Sequence, residues 1–240
     1  MPALLECSGL SWTVGGTHIL DDIGFAVRAG EFVAVIGPNG AGKTSLLNVL
    51  SGLVRPTSGR ITLSGEDITA EPPHRRARRG VARTFQSSSV FPTMTVGQHV
   101  RLARRVGRTG AEPAEVLHRV GLDHLAGAVA GRLSHGDRRK LEIALVLAGA
   151  ADRDGRRLLL LDEPMAGMSA DEVPGLTDVL RDVHTGGGHA VLMVEHHMEV
   201  LMSLADRVVV LHHGALLAVG TPAEVTADPV VQEAYLGQAP

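Results

Sequence analysis

Residues 36–45, IGPNGAGKTS, leave this chain few architectures to choose from. Three glycines and a lysine stand directly behind the β-forming run FVAVI at 32–36, and the helix-forming stretch TSLLNVL follows at once. Residues 37–44 fit G-x-x-x-x-G-K-[ST] in the strand–loop–helix context that a phosphate-binding P-loop requires. Glycines let the backbone approach an anion closely, and the first N–H groups of the helix then face it with the positive end of the helix dipole. Gly37, Pro38, Asn39, Gly40, Ala41, Gly42, Lys43, Thr44 and Ser45 are therefore the candidate nucleotide-binding residues. Lys43 can reach the β- and γ-phosphates, and the Thr44 hydroxyl can ligate Mg²⁺. Of 23 basic residues only Lys43 and Lys140 are lysine, so the lysine at this position is informative. The site calls for a compact point charge rather than a forked guanidinium.

A second acidic element narrows the chemistry. LLLLDEP at 158–164 ends an apolar run with Asp162 and Glu163 side by side. In a parallel sheet this places two carboxylates at the carboxyl edge, where nucleotides bind. Asp162 suits Mg²⁺, and Glu163 suits polarising an attacking water.

The periodicity predicts an α/β fold. Runs at 32–36, 158–161, 190–194 and 207–211 read as short strands, the continuous ones buried on both faces of a parallel sheet. Segments 4–12, 19–27, 60–63 and 215–219 read as weaker strands able to form an antiparallel flank. Helical patterns cover 44–51, 95–105, 114–120, 136–149, 171–184 and 197–203, and residues 87–150 read as an inserted helical subdomain. At 240 residues the chain can bury roughly 70–75% of its unfolded surface without disulfides. The one cysteine, Cys7, suits a reducing compartment, and neither a secretory signal nor a membrane-spanning run is read, so cytoplasm is the expectation. A net charge of −3 and six aromatics disfavour nucleic acid.

RLSHGDRRKLEIALVLA at 132–148 opens an amphipathic helix, apolar at Leu141, Ala144, Leu145 and Ala148, behind Ser134 and Gly136. It offers a second anion-binding helix start in a chain with one P-loop, a mismatch that dimerisation resolves. With these motifs the chain resembles the ATP-binding subunits of ABC transporters over nearly its whole length. The motifs run in the family's order: Walker A at 37–44, a Q-loop glutamine at Gln86, the signature at 133–137, Walker B at 158–162, Glu163, a D-loop near 166–169 and the switch histidine His196.

The resemblance implies a P-loop NTPase with ABC-ATPase architecture: a mixed, mainly parallel core sheet, an antiparallel β flank and the helical subdomain. Residues 1–86 and 151–240 would form the RecA-like core with its flank. It implies a head-to-tail dimer with ATP between the P-loop of one subunit and Ser134, His135, Gly136 and Asp137 of the other. Gln86 would sense Mg²⁺ and the water and link the ATP site to the helical subdomain, and His196 would contact the γ-phosphate and hold Glu163 and the water in line. The implied cofactors are ATP and Mg²⁺. The implied partners are a second ATP-binding subunit, identical or not, transmembrane permease subunits and, indirectly, an external solute-binding protein. The implied place is the cytoplasmic face of the cell membrane.

The chain departs from the family pattern in three places. The adenine-stacking aromatic aligns with Val14, whereas Trp12 sits two residues earlier on the same strand face, either to stack on adenine after a small shift or to serve as a structural anchor. The signature reads Leu-Ser-His-Gly-Asp rather than Leu-Ser-Gly-Gly-Gln, and Ser169 ends the D-loop where Asp is usual. LSHGD, DEPMAGMS, VEHHMEVL and DPVVQEAYLG look like subunits serving branched-chain amino acid importers and the related urea and short-amide importers, with His135 leaning to the latter and Asp137 to the former. A soluble ABC-type ATPase and a non-catalytic ATP-binding regulator are the alternatives. HRRARR at 74–79 and Arg101, Arg104, Arg105 and Arg108 read as solvated faces, His197, His212 and His213 as surface or loop histidines, and Phe91 as a docking residue if exposed.

Overall fold

Four uninterrupted apolar runs build the centre of the molecule, because a strand buried on both faces has no polar alternate positions. In a computed structural model that describes residues 3–84, 90–149 and 157–236, these runs are β3 (Phe32–Ile36), β7 (Leu158–Asp162), β8 (Ala190–Val194) and β9 (Arg207–His212). The preceding strands are β1 (Ala3–Val14), β2 (Thr17–Arg28), β4 (Ser58–Leu63), β5 (Glu66–Asp67) and β6 (Val81–Arg83), and β10 (Ala215–Gly220) follows β9. The larger sheet has the order β10-β9-β3-β8-β7-β6. Its members β9, β3, β8, β7 and β6 are mutually parallel, so their carboxyl ends share one edge. The smaller sheet, β2-β1-β4-β5, is antiparallel.

One expectation fails here. Residues 215–219 do not join the antiparallel flank. They form β10, which pairs antiparallel with β9 and closes the edge of the larger sheet. The turn His213–Gly214 leaves too little chain for any but a hairpin partner. The other three weak segments do form the flank.

The helices are α1 (Lys43–Ser51), α2 (Pro73–Arg78), α3 (Val96–Gly107), α4 (Pro113–Arg119), α5 (His135–Gly149), α6 (Val173–Gly187), α7 (Met198–Leu204), α8 (Pro222–Ala227) and α9 (Pro229–Leu236). Alternate residues of the central strands serve two cores. Val33, Val35, Leu158, Leu160, Leu192, Val209 and Leu211 pack with α1 and the flank. Phe32, Ala34, Leu159, Leu161, Val191, Met193, Val208 and Val210 pack on the other face with residues of α3 to α7. The described residues between β6 and β7 carry helices and a single isolated bridge, Thr95 to Val129. Among the described residues, no helix is long and apolar enough to cross a membrane.

The run HRRARR does not all face solvent as expected: Arg76 is 1% exposed. Its neighbour Arg79 pairs with Glu71 at 2.8 Å and with Glu66.

Candidate functional site

The carboxyl ends of β3, β7 and β8 bring the acidic and phosphate-binding motifs to one edge, as parallel strands must. The P-loop leaves β3 and enters α1 at Lys43. Gly42, at φ 99, occupies the left-handed region open to glycine, and its missing Cβ would stand 3.0 Å from the Ile19 carbonyl. A Cβ at Gly37 would fall 2.2 Å from the Leu211 carbonyl. The loop is thus wedged between β2 and the end of β9.

Lys43 is buried and donates from Nζ to the carbonyls of Gly37 at 2.7 Å and Pro38 at 3.0 Å. Burial pulls its ammonium below the ordinary value, against the raising influence of Glu163 and Asp162. Thr44 Oγ1 donates to Asp162 Oδ1 at 3.4 Å. Hydroxyl and carboxylate oxygens at this spacing are hard donors of the kind Mg²⁺ takes, so the pair fits that ion. Asp162 is nearly sealed from solvent and meets Arg83 Nη2 through Oδ2 at 2.9 Å. Burial raises its carboxyl above the ordinary range, and Arg83 works against that rise. Arg83 also donates to Asn48 Oδ1 at 2.7 Å and to Ser51 Oγ at 3.0 Å.

Glu163 is in the left-handed region at φ 47, an uncommon conformation for a side chain of this size, and its N–H donates to the Val194 carbonyl at 2.9 Å. This aims the carboxylate at the switch loop, where Glu163 Oε1 lies 3.0 Å from His196 Nε2. The structure therefore brings together Lys43, Thr44, Asp162, Glu163 and His196. Gln86 lies outside the described residues.

The signature residues lie on a separate element. Ser134 stands before α5, where its hydroxyl donates to Asp137 Oδ2 at 2.9 Å and accepts from the Asp137 N–H at 3.0 Å. Gly136 N–H donates to Glu172 Oε1 at 2.8 Å, and Glu172 Oε2 accepts from Ser169 N–H at 3.2 Å, tying the signature to the D-loop. His135 lies over Gly167, whose Cβ would be 3.5 Å from its ring. Trp12 is half-buried against the flank core, whereas Val14 is 51% exposed at the tip of β1. Arg83 and Glu195 are site residues that sequence reasoning missed. Arg83 meets Asp162 from 79 positions away, and no local motif announces such a pair.

Residues 20–166 match the ABC transporter family, and residues 215–239 match the branched-chain amino acid ATP-binding cassette transporter family. The high-affinity branched-chain amino acid transport ATP-binding protein BraF of Pseudomonas aeruginosa is 38% identical, with 98% of each chain covered. The chain belongs to the ABC transporter family. Among other relatives of this cassette, the high-affinity branched-chain amino acid transport ATP-binding protein LivG of Escherichia coli is 34% identical over 98% of each chain. The lipopolysaccharide export system ATP-binding protein LptB of Acidithiobacillus ferridurans is 35% identical over 99% of this chain and 98% of its own. A nucleotide-free ATP-binding cassette of an ABC transporter superposes with a TM-score of 0.86 at 25% identity, covering 99% of this chain and 100% of its own. A cassette in its ADP conformation does so with 0.86 at 26% identity and the same coverage. The cassette is an ABC-type ATPase with the P-loop fold of these neighbours.

Proposed function

We propose that this cassette hydrolyses ATP to drive import of branched-chain amino acids, working as one half of a head-to-tail pair docked on permease subunits at the cytoplasmic face of the cell membrane. The observation that carries the chemistry is the Glu163–His196 contact of 3.0 Å at the edge that holds the P-loop. The cargo rests on the match of residues 215–239 to the branched-chain amino acid family and on the BraF and LivG relatives. Urea and short amides are the second cargo class, motivated by His135.

The P-loop amides from Gly40 to Ser45 receive the phosphates, and Lys43, already stripped of water, turns from the Gly37 and Pro38 carbonyls toward the β- and γ-phosphate oxygens. Thr44 and Asp162 would hold Mg²⁺, which would neutralise phosphate charge, and Gln86 is assigned the role of sensing it. Glu163 orients and polarises the attacking water, and His196 keeps that carboxylate aimed. Ser134 and Gly136 of the paired copy supply further donors to the γ-phosphate. For Gly136 this means giving up Glu172 as acceptor. The helical stretch 87–150 acts as the lever between the ATP site and the permease. Val14, exposed at the tip of β1, and Trp12, packed against the flank core, are the residues assigned to the adenine side, where Trp12 would stack on the base after a small shift or serve as a structural anchor.

Light scattering on a sizing column with the Glu163→Gln protein, with and without MgATP, tests the reading beside an ATPase assay of the parent. The expected result is an ATP-dependent shift from monomer to dimer and a variant whose turnover falls by about 100-fold or more. Turnover at the parent rate would remove Glu163 from its role. ATP binding with no shift would sink the shared-site dimer.

A further inference from the structure

We propose that Glu195 is a positioning residue that clamps the loops bearing Glu163 and His196 into the register hydrolysis requires. The proposal rests on the ATPase reading above and deepens it. Glu195 follows β8 and is 2% exposed. A carboxylate so deep is costly unless its oxygens are satisfied. Here main-chain N–H groups of two different loops satisfy them. Oε1 accepts from Met165 N–H at 2.6 Å, and Oε2 accepts from His196 N–H at 2.7 Å, with a weaker approach from His197 N–H at 3.5 Å.

Met165 is two residues beyond Glu163, and His196 is the other half of the contact. The last paired positions of β7 and β8 are Asp162 and Val194. Beyond them the Glu163 N–H to Val194 bond and the Glu195 bridge carry the connection past the ladder. Glu163 and His196 are themselves partly open to solvent, so packing alone does not hold their side chains together. The Glu195 bridge beneath them joins the main chains that carry them. Only a group with two acceptor oxygens serves both loops, because the NH₂ of a glutamine would face one of the N–H donors.

The test compares parent and Glu195→Gln by kcat, ATP KM, melting temperature and hydrogen exchange of peptides covering 163–169 and 195–199. Expected are a kcat about 10- to 100-fold lower, a KM within about twofold of the parent, and faster exchange in both peptides together. Glu195→Asp, which keeps both oxygens on a shorter stem, is expected to recover part of kcat. An unchanged kcat overturns the proposal. So does a KM that rises with the kcat loss, or faster exchange in one peptide alone. Failure of both variants to fold would make Glu195 a stability residue instead. A parent without ATPase activity would count against the ATPase reading, and the exchange result would then decide the clamp by itself.

Discussion

Arg76 directs its guanidinium entirely at main-chain carbonyls. Nη1 donates to Val49 and Leu50 at 2.7 Å each, Nε to Glu71 at 3.0 Å and Nη2 to Thr69 at 3.0 Å. Val49 and Leu50 belong to the last turn of α1, so one buried cation closes the C-terminus of the helix whose other end forms the P-loop. Arg76→Met keeps the volume and removes the guanidinium donors, leaving Val49 with the Gly52 N–H at 3.1 Å. We expect it to destabilise the fold by about 3 kcal/mol, measured by urea unfolding. At this scale Lys43, Thr44, Asp162 and Glu163 were legible in the sequence because phosphate chemistry demands those residue types at that spacing. His196 was legible only through its place in the order of motifs. Arg76, Arg83 and Glu195 were not, because each is defined by partners that only the fold delivers. A buried arginine and a solvated one read alike in HRRARR.

The elements that read best were those whose period is unambiguous. The apolar runs of β3, β7, β8 and β9 and the helices α1, α3, α4, α5, α6 and α7 appear within about three residues of their predicted bounds. Those that escaped are short. β6 has three residues and exists because the buried edge of β7 pairs with it, while α2 and α8 have six each and start at prolines. Too few residues are present for a period to show. Here local chemistry replaces periodicity. Thr221 opens α8 with a complete capping box, accepting from Glu224 N–H at 3.3 Å while Glu224 Oε2 accepts from Thr221 N–H at 2.7 Å. Thr95 and Gln98 do the same for α3. Removing the Thr221 cap as Thr221→Ala is expected to cost about 1 kcal/mol in chemical denaturation and to leave ATP affinity unchanged.

Over the whole molecule, the proposed docking on permease subunits can be tested at Phe91, ahead of α3. Phe91 is 55% exposed there, held by its own N–H to His99 Nε2 at 2.8 Å and stacked on that ring at 5.9 Å between centroids. His99 is buried and its Nδ1 lies 2.8 Å from the Thr95 carbonyl, so the ring orientation is fixed from both sides. Phe91→Ser is therefore expected to leave basal ATPase within about twofold and to abolish ATP-driven transport in vesicles carrying the permease. Loss of basal activity and melting temperature together would make Phe91 a residue of the fold instead. The two sheets, which share a core, also touch at the β9–β10 turn. Gly214 N–H donates to the Ala41 carbonyl at 3.2 Å, and the Gly214 carbonyl accepts from Asp21 N–H at 2.9 Å. Gly214 thereby ties the phosphate loop, the β9–β10 turn and the flank together, beside the shared core. The main chain that carries the phosphate loop therefore shares its support with the flank.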